Sequence, residues 1–283
     1  MSTNNFIPGL WAAKLLENLN NQHAYAQGFN RDWEGEIKDM GSSVKINSIG
    51  RITISNYARN TDLAAPEELN IAGQWLLIDQ GKTYNFVVDD LDAAQMRSNI
   101  MDSAAGEASF GLTDTVDLFL AAALQAGVPA ANQISAATVG RGGADRNAYE
   151  VLVDLDVTLT ENNTPRTGRW AYVPPWYEGM LRSDVRFVSY GTDANKSTLM
   201  GGKPIGEASG FTIYVTNNFP TSGGNPVVLA GFKGAATYAE QVAKQEPYRP
   251  EKRFGDAVKG LLVYGAKVTR PANLASIVAT RGS

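Results

Sequence analysis

A seam of apolar residues between Asp92 and Gly127 constrains this chain more than any other feature. Met101, Ala105, Ala108, Leu112, Val116, Phe119 and Ala123 follow one another at steps of four and three, so a helix through them keeps all of them on one side. Asp92 and Gln95 have the spacing of a capping box, Asp89 and Asp90 add negative charge at the positive end of the helix dipole, and Gly127 with Pro129 supplies a stop. One helix over Asp92 to Gly127 would be about 50 Å long, more than a compact globule of this chain length usually spans, so part of it should serve an elongated shape. The alternative is two shorter helices broken at Gly106 or Gly111, since each interior glycine costs about 1 kcal/mol relative to alanine.

Composition removes several classes of function. The 283 residues suffice for one large domain or two ordinary ones, and 25 basic against 29 acidic residues, with no run of Lys or Arg, disfavour direct nucleic-acid binding. No apolar run approaches the roughly 18 residues of a membrane span, and the start MSTNNF lacks the basic and apolar regions of a signal peptide, so the product is expected in the cytoplasm when made. There are no cysteines, which excludes disulfides, Cys-ligated zinc and thiolate nucleophiles. His23 is the single histidine; near the end of an N-terminal helix, it reads as a helix-end or packing residue rather than a general base.

In chain order, Pro8 in FIPGL and the spacing of Leu10, Trp11, Leu15, Leu19 and Ala26 predict an amphipathic helix that Gly28 ends. Asn30 to Met40, with Trp33 and Ile37 among charges, reads as an arm that needs a partner surface. From Val44 to Tyr57 the period changes to two: Val44 and Ile46, then Ile52 and Ile54, with Gly50 at the turn. That pattern predicts a projecting hairpin too sparsely apolar to hold its shape alone, or else part of an ordinary sheet. Trp75 to Asp79 and Thr83 to Val88 supply two further strands.

Beyond the long helix, Asn132 to Arg146 reads as a connection, and Ala148 to Leu159 fits helix and strand alike, with helix preferred. Strands are expected at Trp170 to Val173, Val185 to Ser189, Phe211 to Thr216 and Val227 to Ala230, then a short helix at Thr237 to Gln245. A charged loop EPYRPEKRFGD follows, and Val258 to Thr269 is a strand with Leu262, Tyr264, Ala266 and Val268 on one side, returning to the long helix. The fold class is therefore α+β, with a second region from about 145 to 257.

The candidate chemical motifs each lack a part. GTDANKST at Gly191 to Thr198 superficially resembles a phosphate-binding loop, but Asn195 stands where a glycine must precede the lysine. GRGGADR at Gly140 to Arg146 reads as a flexible connection. Asp154 and Asp156, or Asp89, Asp90 and Asp92, lack the spacing of a calcium loop. WAYVPPWYEG at Trp170 to Gly179 groups aromatics and prolines that suit a ligand groove, an interface or a core. No catalytic, metal or cofactor site is expected, and the chain is not read as an enzyme.

Four stretches in this order carry a resemblance that spans nearly the whole chain: FIPGLWAAKLLENL, VKINSIGRITISNY, APEELNIAGQWLLIDQGKTYNFVVDDLDAAQ and ATYAEQVAKQEPYRPEKRFGDAVKGLLVYGAKVTRP. With them the chain resembles a major capsid protein of tailed bacteriophages, of the Hong Kong 97 type. The resemblance implies an N-terminal arm at 1–40, an extended loop at 41–73 lying on the neighbouring subunit, a peripheral domain with a spine helix at 74–144 plus 258–283, and an axial domain at 145–257. It implies a coat protein that self-assembles into hexamers and pentamers of an icosahedral shell enclosing double-stranded DNA without sequence-specific binding. The expected partners are sister subunits, a portal protein at one vertex and, where the shell is reinforced, a decoration protein, with no membrane. Unlike the family's type member, the chain has no long scaffolding segment before the arm, which implies a separate scaffolding protein. The expected location is the virion capsid, with the host cytoplasm before assembly.

Within that resemblance, Arg51 and Arg59 against Glu67 and Glu68 in the loop, and Arg249, Lys252 and Arg253 in the late charged loop, are the expected intersubunit contacts, with solvated surface charge as the alternative. Lys45 and Asn273 are formal candidates for the amide cross-link that some shells of this fold form. Two other readings stay open: a cellular nanocompartment shell of the same fold, and a small-ligand module built on the aromatic and proline cluster.

Overall fold

The computed structural model describes residues 24–33, 43–49, 54, 56, 59, 62, 71–89, 100–143, 145–184, 206–252 and 254–282. His23, the capping box at Asp92 and Gln95, the expected strand at Val185 to Ser189 and GTDANKST lie outside them, as does the predicted N-terminal helix except its end, where Tyr25–Gly28 form a single 3-10 turn.

The long helix α1, Ile100–Gly127, runs unbroken through Gly106 and Gly111 for 28 residues, about 42 Å. It ends at Gly127, as the sequence predicts. Its buried side is broader than the seam: Ser109, Leu112, Thr113, Val116, Asp117, Leu120, Ala121 and Leu124 are buried, while Phe119 is only partly covered. The seam misses the polar members of this stripe because it counts apolar residues alone.

Two sheets lie against α1. The larger has the order β4-β12-β9-β5-β7-β6, formed by β4 (Gln133–Val139), β12 (Leu274–Arg281), β9 (Asn225–Phe232), β5 (Arg169–Val173), β7 (Phe211–Val215) and β6 (Glu207–Ala208), with β8 (Thr221–Ser222) paired to β9. Its central strands are continuous apolar runs because both faces are covered. Trp170, Tyr172, Val227, Leu229 and Leu274 face α1, whereas Ala171, Val173, Val228, Ala230, Ala275 and Ile277 face the helices α2 (Ala148–Glu161) and α3 (Pro175–Arg182). Helix α2 starts on an Asn147 cap, whose side chain accepts the Tyr149 N–H at 2.7 Å. It ends with Asn163 in the left-handed region and Thr164 N–H bonded to the Leu159 carbonyl at 3.0 Å, a Schellman stop.

The smaller sheet has the order β10-β11-β3, from β10 (Ala236–Tyr248), β11 (Gly255–Val268) and β3 (Gln80–Asp89). Leu262 and Tyr264 turn to α1, and Tyr264 meets Phe119 edge-on at 5.3 Å. On the opposite face Ala239 and Val263 pack under Val44, Ile46, Leu76 and Ile78 of a two-stranded ribbon, β1 (Ser43–Ile49) with β2 (Ile71–Leu77). Gly265 is required there, since a Cβ would run into the Leu77 carbonyl.

Two expectations are corrected. Thr237 to Gln245 is strand, not helix: β10 pairs with β11 from Ala236↔Val268 to Tyr248↔Ala257, and ladder bonding along that length overrides the helix-favouring Ala, Glu, Gln and Lys residues. Asn132 to Arg146 is not only a connection, because β4 adds in parallel to β12. Strand 43–49 pairs with the distant stretch 71–77, Val44 opposite Leu76; of the expected second arm beyond Gly50 only Ile54 and Asn56 are among the described residues. The sequence reading also assigns no element after Thr269, where β12 sits inside the larger sheet. The expected boundaries at 144/145 and 257/258 consequently cut both sheets: β4 and β12 lie with β5 and β9, and β10 lies with β11.

Candidate intersubunit surface

The large apolar side chains that face solvent lie in patches on separate elements. On α1, Phe110 is 62% exposed, at the edge of the buried stripe, and Leu118, eight residues on, is 48% exposed. Along β2 and the residue after it, alternation puts Leu76 and Ile78 in the core and leaves Trp75 and Leu77 outside, more than half exposed, with the exposed Lys45 opposite Trp75 in register. At the far end of the smaller sheet stand Val87, Tyr248 and Phe254, the last 83% exposed. Val153 and Val157 form a stripe on α2. A scatter of single exposed apolar residues is ordinary, but aromatic groups this bare on secondary structure mark surfaces that other protein covers.

The far end of the smaller sheet is polar around its aromatics. Glu246 and Lys259 face each other across β10 and β11 and pair at 3.0 Å, with the Lys259 ammonium 5.3 Å from the centre of the Tyr248 ring. Asn85 donates to the Tyr248 hydroxyl at 2.9 Å. A groove of about 440 Å³ runs between these groups and Tyr84, whose phenol burial pushes up to about 12. The ion pair is half exposed and contributes at most about 1 kcal/mol to the fold.

Of the charged residues expected at intersubunit contacts, Arg51, Glu67, Glu68 and Arg253 lie outside the described residues. Arg59 is exposed on a turn, and Arg249 and Lys252 are exposed on the β10–β11 connection beside Phe254. Lys45 is exposed on β1, and Asn273 ends the Pro271–Asn273 turn, where its side-chain oxygen accepts from the Thr164 hydroxyl at 3.3 Å. The signal for Phe110 and Leu118 was present in the sequence as apolar residues off the seam at helical spacing.

The motifs weighed for chemistry are absorbed by the fold. Asp154 pairs with Arg146, and Asp156 with the buried Arg169, so both carboxylates already have cationic partners. GRGGADR closes on itself, Gly140 N–H bonding the Arg146 carbonyl and Gly142 N–H the Asp145 carboxylate. In WAYVPPWYEG, Trp170 and Tyr172 are core residues, Pro175 opens α3, and the buried Tyr177 hydroxyl donates to the Ala148 carbonyl at 2.6 Å. That cluster is spent on packing, which removes the feature on which the small-ligand reading rested.

Fold and surface together define a shell subunit. The profile of the phage capsid protein family matches residues 76–277, and the chain belongs to that family. No curated protein matches it. Among solved structures it is similar to that of Mycobacterium phage Che8, at 26% identity and a TM-score of 0.70, over 90% of this chain and 91% of that one. The capsid structure of cyanophage P-SCSP1u matches at 18% identity and a TM-score of 0.64, over 87% and 85%, and the capsid of Ralstonia phage GP4 at 13% and 0.65, over 90% and 87%. The fold is the Hong Kong 97-type α+β capsid fold, and the protein is a phage major capsid protein, a structural component of the virion that assembles into an oligomeric shell.

Proposed function

We propose that this coat protein builds hexamers and pentamers of an icosahedral head closed around double-stranded DNA, as a purely structural subunit without catalytic activity. The observation that carries the reading is the set of bare aromatic and aliphatic side chains at Trp75, Leu77, Phe110, Leu118 and Phe254, spread over elements that a ring of neighbours could cover at once. In this reading β3, α1, β10 and β11 form the peripheral domain, and β4 to β9, β12, α2 and α3 the axial domain. The β1–β2 ribbon is the base of the extended loop, and residues 1–40 are the N-terminal arm. Arg51, Arg59, Glu67, Glu68, Arg249, Lys252 and Arg253 then meet neighbouring subunits. A scaffolding protein, a portal protein and, where used, a decoration protein complete the assembly, which begins in the host cytoplasm. The net charge of −4 suits a wall that must release packaged DNA. Nuclease-treated particles from infected cells test it. Protected double-stranded DNA is expected; particles filled with enzymes instead would favour the nanocompartment.

A further inference from the structure

The two sheets share one core on α1, and the chain crosses between them at two adjacent turns. The Lys233–Ala235 turn between β9 and β10 lies against the Pro271–Asn273 turn between β11 and β12, and the Thr269 and Arg270 N–H groups both bond the Ala235 carbonyl, at 2.9 and 3.0 Å. Beyond the core that both sheets share on α1, these two short adjacent crossings form a hinge line between them.

Residues 24–33 span them. Tyr25 is fully buried, with its ring 4.2 Å from that of Tyr172 on β5, and its carbonyl accepts the Tyr172 hydroxyl at 2.8 Å. Gly28 lies so close that a side chain there would collide with the same hydroxyl. Phe29, also fully buried, sits edge-on to Tyr238 of β10 at 6.2 Å. Asn30 joins the small sheet in parallel, its N–H to the Ala236 carbonyl at 2.9 Å and its carbonyl taking the Tyr238 N–H at 3.0 Å. Two buried carboxylates fasten the ends: Asp117 of α1 accepts the Ala24 N–H at 2.9 Å, and Glu240 of β10 holds Arg31 at 2.7 Å and the Tyr238 hydroxyl at 2.6 Å. One short segment is thus bonded to the large sheet, the small sheet and α1. We infer that residues 24–33 are a clasp that fixes the angle between the two sheets and, resting on the shell reading above, the curvature of the particle.

The absence of native cysteines allows spin labels to be placed at will, one on each side of the hinge, at Thr83→Cys on β3 and Glu161→Cys on α2. Arg31→Ala and Glu240→Gln both break the Arg31–Glu240 end of the clasp, from its two sides, without opening a cavity at Tyr25 or Phe29. Both variants should broaden the label-to-label distance distribution and raise hydrogen exchange at the Asn30 and Tyr238 amides about tenfold, with α2 unchanged as a sign that the fold is intact. Their particles should spread in diameter where the parent's are uniform. An unaltered distance distribution overturns the clasp, and a broadened one with uniform particles overturns its part in curvature. A parent protein that forms no particles refutes the shell reading alone, because the distances judge the clasp separately.

Discussion

Arg169 is a charged residue built into the core. Its side chain is 1% exposed, and beyond Asp156 it donates to the Pro165 carbonyl at 2.9 Å, the Thr160 hydroxyl at 3.0 Å and the Thr164 carbonyl. It gathers the end of α2 onto the start of β5 by satisfying acceptors that no other cation in that corner reaches among the described residues. Arg169→Met keeps the volume and strands those acceptors. It should destabilise the subunit by about 3 kcal/mol, the low end for a broken buried pair because Asp156 still reaches water. Urea unfolding reads this as a lower midpoint with the slope unchanged. The buried tyrosines make a second prediction. Burial, with the Asp117 charge adding to it, raises the Tyr25 phenol far above its ordinary value of 10; burial first, then nearby groups, does the same for Tyr172; and burial raises Tyr177. The unfolded chain releases these protons near pH 10 while the folded chain holds them, so their contribution is complete below about pH 10 and declines above it. Each fully buried phenol steepens that decline by about 1.4 kcal/mol per pH unit. Unfolding free energies at pH 9 and pH 11, alongside phenolate absorbance, should show ionisation arriving together with unfolding.

At the scale of elements, glycines separate two kinds of position. Gly265 lies where β11 passes under the β2 backbone, so Gly265→Ala must push two main chains apart and should cost about 2 kcal/mol. Gly106 in α1 has open space where a side chain would go, and Gly106→Ala should stabilise the subunit by about 0.5 to 1 kcal/mol. Thermal melts of the two variants against the parent check both signs. The same contrast explains what could be read from sequence. Helix α1 is legible because its stripe repeats over many turns, and β5, β9 and β11 because their apolar runs are bounded by Gly and Pro. β10 is not, since Glu240 and Gln241 mimic a helix and only the partner strand decides. The β1 partner is equally illegible, because pairing across such a separation leaves no local signature. The surface divides in the same way: exposed Arg249 and Lys252 are readable as a charged loop, whereas the outward face of β2 appears only once the register tells which of Trp75 and Leu76 is inside.

For the whole molecule, the exposed apolar side chains make assembly and folding separable. Full coverage of a side chain of this size by a neighbour is worth about 1.5 to 3 kcal/mol, and many such contacts acting together give a shell far more stable than any single interface. Phe110→Ser and Trp75→Ser remove side chains that the isolated subunit leaves more than half exposed. Each should lower subunit stability by about 1 kcal/mol, leaving it folded, while sharply reducing the fraction that sediments as particles. A variant that unfolds the subunit would place the side chain in the fold rather than the contact surface. The capsid assignment itself is tested most directly by electron cryomicroscopy of the purified parent protein across a range of concentrations and salt. Closed shells of repeating subunits, with Trp75, Phe110 and Phe254 covered by neighbours, are the predicted result. A stable, folded, solitary subunit that forms no closed particle under any of those conditions would contradict it.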